Sequence, residues 1–182
     1  MPFNFLPEPW KSFFSEIDES LEEEVALHCL GGFVLTMLYG LDRPTADVDV
    51  LPVGSNSATE SLIGLAGQGS TLHKKYRVYL QVVGVAQVPV NYEERLTEMF
   101  PGTFSHLRLF ALDPYDLALS KLERNTQRDR DDVKHLARTL SLDLKLLQER
   151  YHKELRPDLG NPDREDLTLK LWIEVIDEER QT

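Results

Sequence analysis

The run Leu30-Gly31-Gly32-Phe33, followed after a helix-length segment by Arg43-Pro44-Thr45-Ala46-Asp47-Val48-Asp49-Val50, decides how the rest of the chain is read. An apolar run ending in two glycines, an amphipathic turn or two, and then aspartates alternating with valines predict a strand, a helix and a second strand. Residues i and i+2 of a strand point to one face, so Asp47 and Asp49 are expected to project side by side. Two carboxylates held that close repel each other unless a cation lies between them, which makes them natural ligands for a hard metal such as Mg²⁺. The paired glycines let a phosphate approach the backbone at a helix N-terminus, where free N–H groups and the helix dipole favour anions.

The 182 residues suffice for one sizeable domain, or a domain with a small helical appendage. No apolar run reaches the roughly 18 residues a membrane span needs, and the start has no signal-peptide pattern, so a cytoplasmic protein with no membrane association is expected. A net charge of −11 argues against a protein that coats nucleic acid, because such binding is driven by Lys and Arg. A local basic groove is still compatible with that charge. Lys121, Arg124, Arg128, Arg130, Lys134 and Arg138 cluster, but interleaved acids make a solvated helix face of mixed charge the better reading. The single cysteine, Cys29, has no internal disulfide partner and reads as a small buried residue. The histidines show no zinc-ligand spacing, and no Gly-x-Ser-x-Gly nucleophile signature is present.

Taken in order, Pro2 to Pro9 is a proline-interrupted arm, and Trp10 to Glu24 reads as an amphipathic helix built on Trp10, Phe13, Phe14, Ile17 and Leu21. Val25 to Leu30 is a buried strand, and the helix after the glycines stops at Gly40. Beyond the aspartate strand, Pro52 to Ser57 is a loop, with Ser57 capping a helix from Ala58 to Ala66 that Gly67 to Ser70 breaks. Arg77 to Gln87 and His106 to Leu112 read as strands, with a short helical turn near Asn91 to Leu96 between them. Asp113-Pro114 is an N-cap followed by proline at the first helical position.

From Tyr115 the chain is helical, broken by a linker at Pro157 to Pro162. A last helix, Asp163 to Glu179, carries Leu167, Leu171, Trp172 and Val175. The expected class is α/β (α+β): a mixed β-sheet core flanked by helices over residues 1–112, and a C-terminal helical region over residues 113–182 packed on it.

Gly31-Gly32, Arg43-x-Thr45-x-Asp47-x-Asp49, the later Lys121-Leu122-x-Arg124 and Arg128-Asp129-x-x-Asp132, in that order, resemble the nucleotidyltransferase superfamily. Its minimal branch around the AbiEii-type toxins of bacterial toxin–antitoxin systems is most similar, over roughly Val25 to Leu140. The resemblance implies transfer of a nucleoside monophosphate from an NTP to an acceptor, an RNA such as tRNA or a protein, and a cognate antitoxin as a further partner. Asp47 and Asp49 would hold one or two Mg²⁺ ions, Gly31 and Gly32 would wrap the phosphates, and Thr45 and Arg43 would contact the triphosphate. Lys121 matches the branch's lysine near the triphosphate, and Asp129 or Asp132 matches its later acidic block. Two positions depart from the pattern. Gly31-Gly32 stands where many members have Gly-Ser, and the strand around Gln81 carries no acid where a third metal-binding carboxylate is common. The alternative is a catalytically degenerate nucleotide-binding or protein-interaction module of the same fold.

Overall fold

The computed structural model describes residues 5–52, 55–84 and 87–181. Parts of the expected proline arm, of the loop after the aspartate strand and of the strand expected to end at Gln87 lie outside the described residues. The chain clusters into two compact units: Met1–Ala86 with Leu96–Leu112, and Gln87–Arg95 with Asp113–Thr182.

The first unit is an α/β fold around a five-stranded mixed sheet. Its strands are β1 (Val25–Leu30), β2 (Asp47–Val50), β3 (Tyr79–Val82), β4 (Thr97–Met99) and β5 (Leu107–Ala111), in the spatial order β3-β2-β1-β5-β4. β1 runs antiparallel to β2 and parallel to β5, β2 runs parallel to β3, and β4 runs antiparallel to β5. Alternation sorts the two faces: Val48, Val50, Leu80, Leu27, Cys29, Leu107 and Leu109 are buried on one, while Asp47, Asp49, Gln81 and Arg108 alternate with them on the other.

Helix α1 (Trp10–Glu19) buries Trp10, Phe13, Phe14 and Ile17, with the Trp10 ring 4.8 Å from Phe33. It ends five residues short of the expected Glu24. Past Glu19 only Leu21 is apolar, and the run Glu22-Glu23-Glu24 would sit unfavourably at the negative end of the helix dipole. Asp18 ties α1 to the sheet, accepting from the backbone N–H groups of Ser105, His106 and Leu107 at 3.0, 2.7 and 2.7 Å.

Helix α2 (Gly31–Tyr39) ends as expected at Gly40 in the left-handed conformation. Helix α3 (Asn56–Ala66) begins earlier than expected, because the capping side chain is Ser55, accepting from Ala58 N–H, rather than Ser57. Arg77 and Val78, expected in a strand, instead follow α4 (Thr71–Tyr76), capped by Ser70 and closed by Arg77 at φ 63°. Lys75 and Tyr76 of α4 both donate to Glu16 of α1.

The second unit contains α5 (Pro114–Leu119), α6 (Gln127–Leu140), α7 (Leu144–Arg150) and α8 (Asp163–Gln181). Asp113 caps α5 with Pro114 in the first turn, as its sequence predicts. After α7 the chain continues through a π-helical turn, Tyr151–Leu155, and a 3₁₀ turn, Arg156–Asp158, where the sequence reads as the end of a helix and a linker. Gln87–Arg95 joins this unit through Arg95, which clasps Asp116 with Nε and Nη2 at 3.0 and 3.1 Å and Glu154 at 2.8 Å. On α8 the buried residues are Leu169, Trp172 and Ile176, with Glu165 and Thr168. Of the apolar face read from sequence, Trp172 is buried, whereas Leu167, Leu171 and Val175 are exposed.

Candidate functional site

The turn from β1 into α2 positions the first component of the site. Leu30 is still extended, and Gly31 turns the chain at φ +73°, a conformation that costs an L-residue with a Cβ about 1–2 kcal/mol. The space is closed as well: a Cβ on Gly31 would lie 2.2 Å from Asp49 Oδ2 and 3.1 Å from its Cγ. The Asp49 carboxylate therefore lies directly over the start of α2, at a backbone approach only glycine permits.

β2 supplies both aspartates from one face, with Val48 and Val50 buried on the other, as the alternation predicts. β2 is hydrogen-bonded on both sides, so its backbone is held. Asp49 pairs in register with Leu30 on β1 and with Gln81 on β3, and Asp47 pairs with Tyr79. Thr45 Oγ1 donates to Asp47 Oδ1 at 2.8 Å and to the Asp47 carbonyl at 3.1 Å, which orients that carboxylate. Thr36 on α2 donates to the Arg43 carbonyl at 3.1 Å and fastens the loop carrying Arg43 and Thr45 to the helix.

The site is electronegative. Burial first, then the charges of Asp47 and Asp49, push the Tyr79 phenol up. Burial, assisted by Asp49, pushes the Cys29 thiol up, so that sulfur is an inert core group. Tyr79 is absent from the sequence reading of the site. Its signal is positional, since it stands two residues before Gln81 on the strand paired with the aspartates.

The donor set can be judged against a hard divalent cation. Two carboxylates share one strand face, and the Gln81 amide is the cross-strand neighbour of Asp49. Among the described residues no group of three His, Cys, Asp or Glu side chains is arranged to hold a metal ion. Mg²⁺ is ordinarily held by one or two carboxylates with substrate phosphates and water completing the octahedron. Asp47 and Asp49 fit that pattern, with the remaining oxygens left to substrate.

Lys121, Asp129 and Asp132 lie in the second unit and form a cluster of their own. The Lys121 ammonium, on a side chain 5% exposed, sits 2.8 Å from Asp132 Oδ2 and 3.5 Å from Asp129 Oδ1. Asp129 also accepts from Arg124 at 2.9 and 2.6 Å and from the Thr126 N–H and hydroxyl, closing a capping box at the start of α6. Burial alone would raise the Asp129 carboxyl, but Arg124, Thr126 and Lys121 together hold it well below the usual carboxylate range. Asp132 pairs with Lys121, Asp129 with Lys121 and Arg124, and Lys134 with Glu179.

A family model described as nucleotidyltransferase of unknown function (DUF6036) matches residues 11–180. The chain belongs to this family. Membership implies an NTP as substrate. No curated protein and no solved structure matches the chain. No helix among the described residues is long and apolar enough to cross a membrane.

Proposed function

We propose that this member of the family is a metal-dependent nucleotidyltransferase whose site is built on β2 and the β1–α2 turn, with an RNA of tRNA type as acceptor. The observation that carries the reading is the Asp49 carboxylate lying over Gly31, which sets a cation ligand against a helix start whose N–H groups favour phosphate. Asp47 and Asp49 would hold the cation, with Thr45 fixing the Asp47 carboxylate. Gly31 and Gly32 give the triphosphate access to backbone amides, and Arg43 lies on the loop that Thr36 anchors beside them. A divalent cation bound there would neutralise triphosphate charge and lower the pKa of the attacking hydroxyl. In the transfer, the acceptor oxygen bonds to the α-phosphorus, the α–β bridge breaks, pyrophosphate leaves and the acceptor proton is lost to solvent. Lys121 and Asp129 serve as positioning residues that hold the start of α6, a role that fits their burial and mutual pairing.

The similarity to AbiEii-type toxins extends the proposal to the toxin half of a pair neutralised by an antitoxin. Growth arrest on expression, lost in Asp47→Ala, tests that extension.

For the catalytic reading, the protein is mixed with Mg²⁺, each α-labelled NTP and total RNA. Label on RNA that disappears in Asp47→Ala and Asp49→Ala supports it, and label on the protein itself would identify a protein acceptor instead. A second reading, a nucleotide-binding module without turnover, is favoured by Gln81 standing opposite Asp49 where a third carboxylate would complete the metal set. Stoichiometric, Mg²⁺-dependent NTP binding without label transfer selects it.

A further inference from the structure

The outer edge of the sheet carries charge opposite in sign to that of the chain as a whole. Residues 61–92 contain no Asp or Glu, although the chain has 31, and their only charged side chains are Lys74, Lys75 and Arg77. This stretch includes α4 and β3, the edge strand beside the aspartates. Lys75 and Tyr76 turn towards α1 and donate to Glu16. At about 100° per residue, His73, Arg77 and Lys74 fall on the other side of α4, within about 100° of one another. Lys74 and Arg77 are exposed, and among the described residues neither has an ion-pair partner, Glu60 of α3 included.

This side of α4 reaches the aspartates through His73 and Tyr79. Gly67 bridges to Leu80, so the chain leading into α4 starts beside the free edge of β3. The Gly69 N–H donates to His73 Nδ1 at 2.9 Å and fixes the imidazole, whose ring meets that of Tyr79 edge-on with centroids 4.8 Å apart. Tyr79 pairs in register with Asp47 and so shares the face of both aspartates. Its hydroxyl has no hydrogen-bond partner among the described residues.

The direction of the reaction gives this edge a role. β2 lies between β1 and β3, and Asp49 meets the start of α2 on its β1 side. With the triphosphate at that helix start, in-line displacement brings the acceptor oxygen in from the side opposite the departing pyrophosphate. That is the β3 side. We infer that the acceptor RNA enters over the edge formed by α4 and β3, with Lys74 and Arg77 meeting its phosphates and the Tyr79 hydroxyl holding its terminal nucleoside beside Asp47. Cations that track a backbone, next to an aromatic residue that takes a nucleoside, are the combination single-stranded ends require. The inference rests on the nucleotidyltransferase reading of Asp47 and Asp49 and adds to it the path of the acceptor.

The test is fluorescence anisotropy of bulk deacylated tRNA, labelled with fluorescein away from its acceptor end and titrated with the full chain in the absence of NTP. Lys74→Gln with Arg77→Gln should raise Kd about tenfold at about 0.15 M salt. The slope of log Kd against log salt should fall by about 1.4–1.8, the counterion release of two phosphate contacts. Arg128→Gln with Lys145→Gln, an exposed pair in the second unit, should change neither quantity. Tyr79→Phe keeps its ring against His73 and should raise Kd about fivefold, the loss of one hydrogen bond. On tRNA stripped of its terminal nucleoside by periodate oxidation, the same substitution should have no effect. Absence of tRNA binding by the wild type overturns the inference, as do an unchanged Kd in the Lys74 and Arg77 variant, an equal loss in the Arg128 and Lys145 variant, or a Tyr79→Phe effect that is absent or survives stripping. Label transfer to RNA that persists undiminished in the Lys74 and Arg77 variant overturns this path and leaves the catalytic reading standing. The expected binding pattern without any label transfer supports this path and removes turnover alone.

Discussion

Oδ2 of Asp49 lies 2.2 Å from where a Cβ on Gly31 would stand, so the carboxylate lies against the bare glycine backbone and leaves no room for a side chain at position 31. This close approach, with the β1–β2 pairing of Leu30 and Asp49, joins the two motifs that flank α2 in the sequence. Gly31→Ala should therefore cost at least about 1–2 kcal/mol from the left-handed backbone, and more from the displaced carboxylate. The expected result is a lowered melting temperature together with loss of Mg²⁺-dependent NTP binding by equilibrium dialysis. Retained binding at full strength would show that the approach of Asp49 to the helix start is incidental.

Lys121 separates a structural role from a direct one. Removing its ammonium in Lys121→Met leaves Asp132 without that partner and Asp129 with a weakened set, both carboxylates being buried. Breaking a buried pair from one side costs about 3–5 kcal/mol, so chemical denaturation should show a loss of that order. If Lys121 acts only on the triphosphate, stability is unchanged and label transfer alone falls.

Gln81 stands opposite Asp49 across the β2–β3 ladder. Gln81→Asp should strengthen metal binding, read as a lower Mg²⁺ concentration for half-maximal NTP binding, and should raise label transfer if a missing charge limits turnover. An unchanged Mg²⁺ dependence would place the cation away from β3.

Acid should weaken both units. Burial opposes ionisation of Asp18, but three backbone N–H groups outweigh it and lower its pKa. Burial likewise opposes Asp129, and Arg124 and Thr126 outweigh it. A carboxylate whose folded pKa is depressed contributes stability that is complete above its unfolded value, about 3.9 for Asp, and is lost as pH falls towards the folded value. Urea midpoints should thus be insensitive to these groups near neutrality and drop below about pH 4. Asp18→Asn should lower the midpoint near neutrality and flatten the acid limb.

Much of this was legible in sequence. Alternation in Asp47-Val48-Asp49-Val50 set the face of β2, and Asp113-Pro114 and Gly40 marked helix ends by chemistry that acts locally. The elements that escaped are too short to show a period. α4 buries a single apolar residue, Leu72, and is fixed by Ser70 and by the reach of Lys75 and Tyr76 to Glu16, 59 and 60 residues away in sequence. β4 has three residues and gains its register from β5. Which apolar residues of α8 are buried was not legible, because Leu167, Leu171 and Val175 have helical spacing as regular as that of the residues that are buried, and hydropathy does not distinguish a core face from an exposed one. At the site, residue order identified the aspartates, but the contact of Asp49 with Gly31 and the pairing of Lys121 with Asp132 belong to three dimensions.

The segment Gln87–Arg95 leaves the sheet unit after β3 and returns to it at β4, so the chain passes between units three times. No single cut yields two whole pieces. Truncation after Leu112 would strand Arg95 without Asp116 and Glu154, and an isolated 113–182 fragment would keep those acids without their arginine. Exchange of the helical part between relatives therefore requires three coordinated crossovers, which ties the inheritance of the sheet to that of the helices.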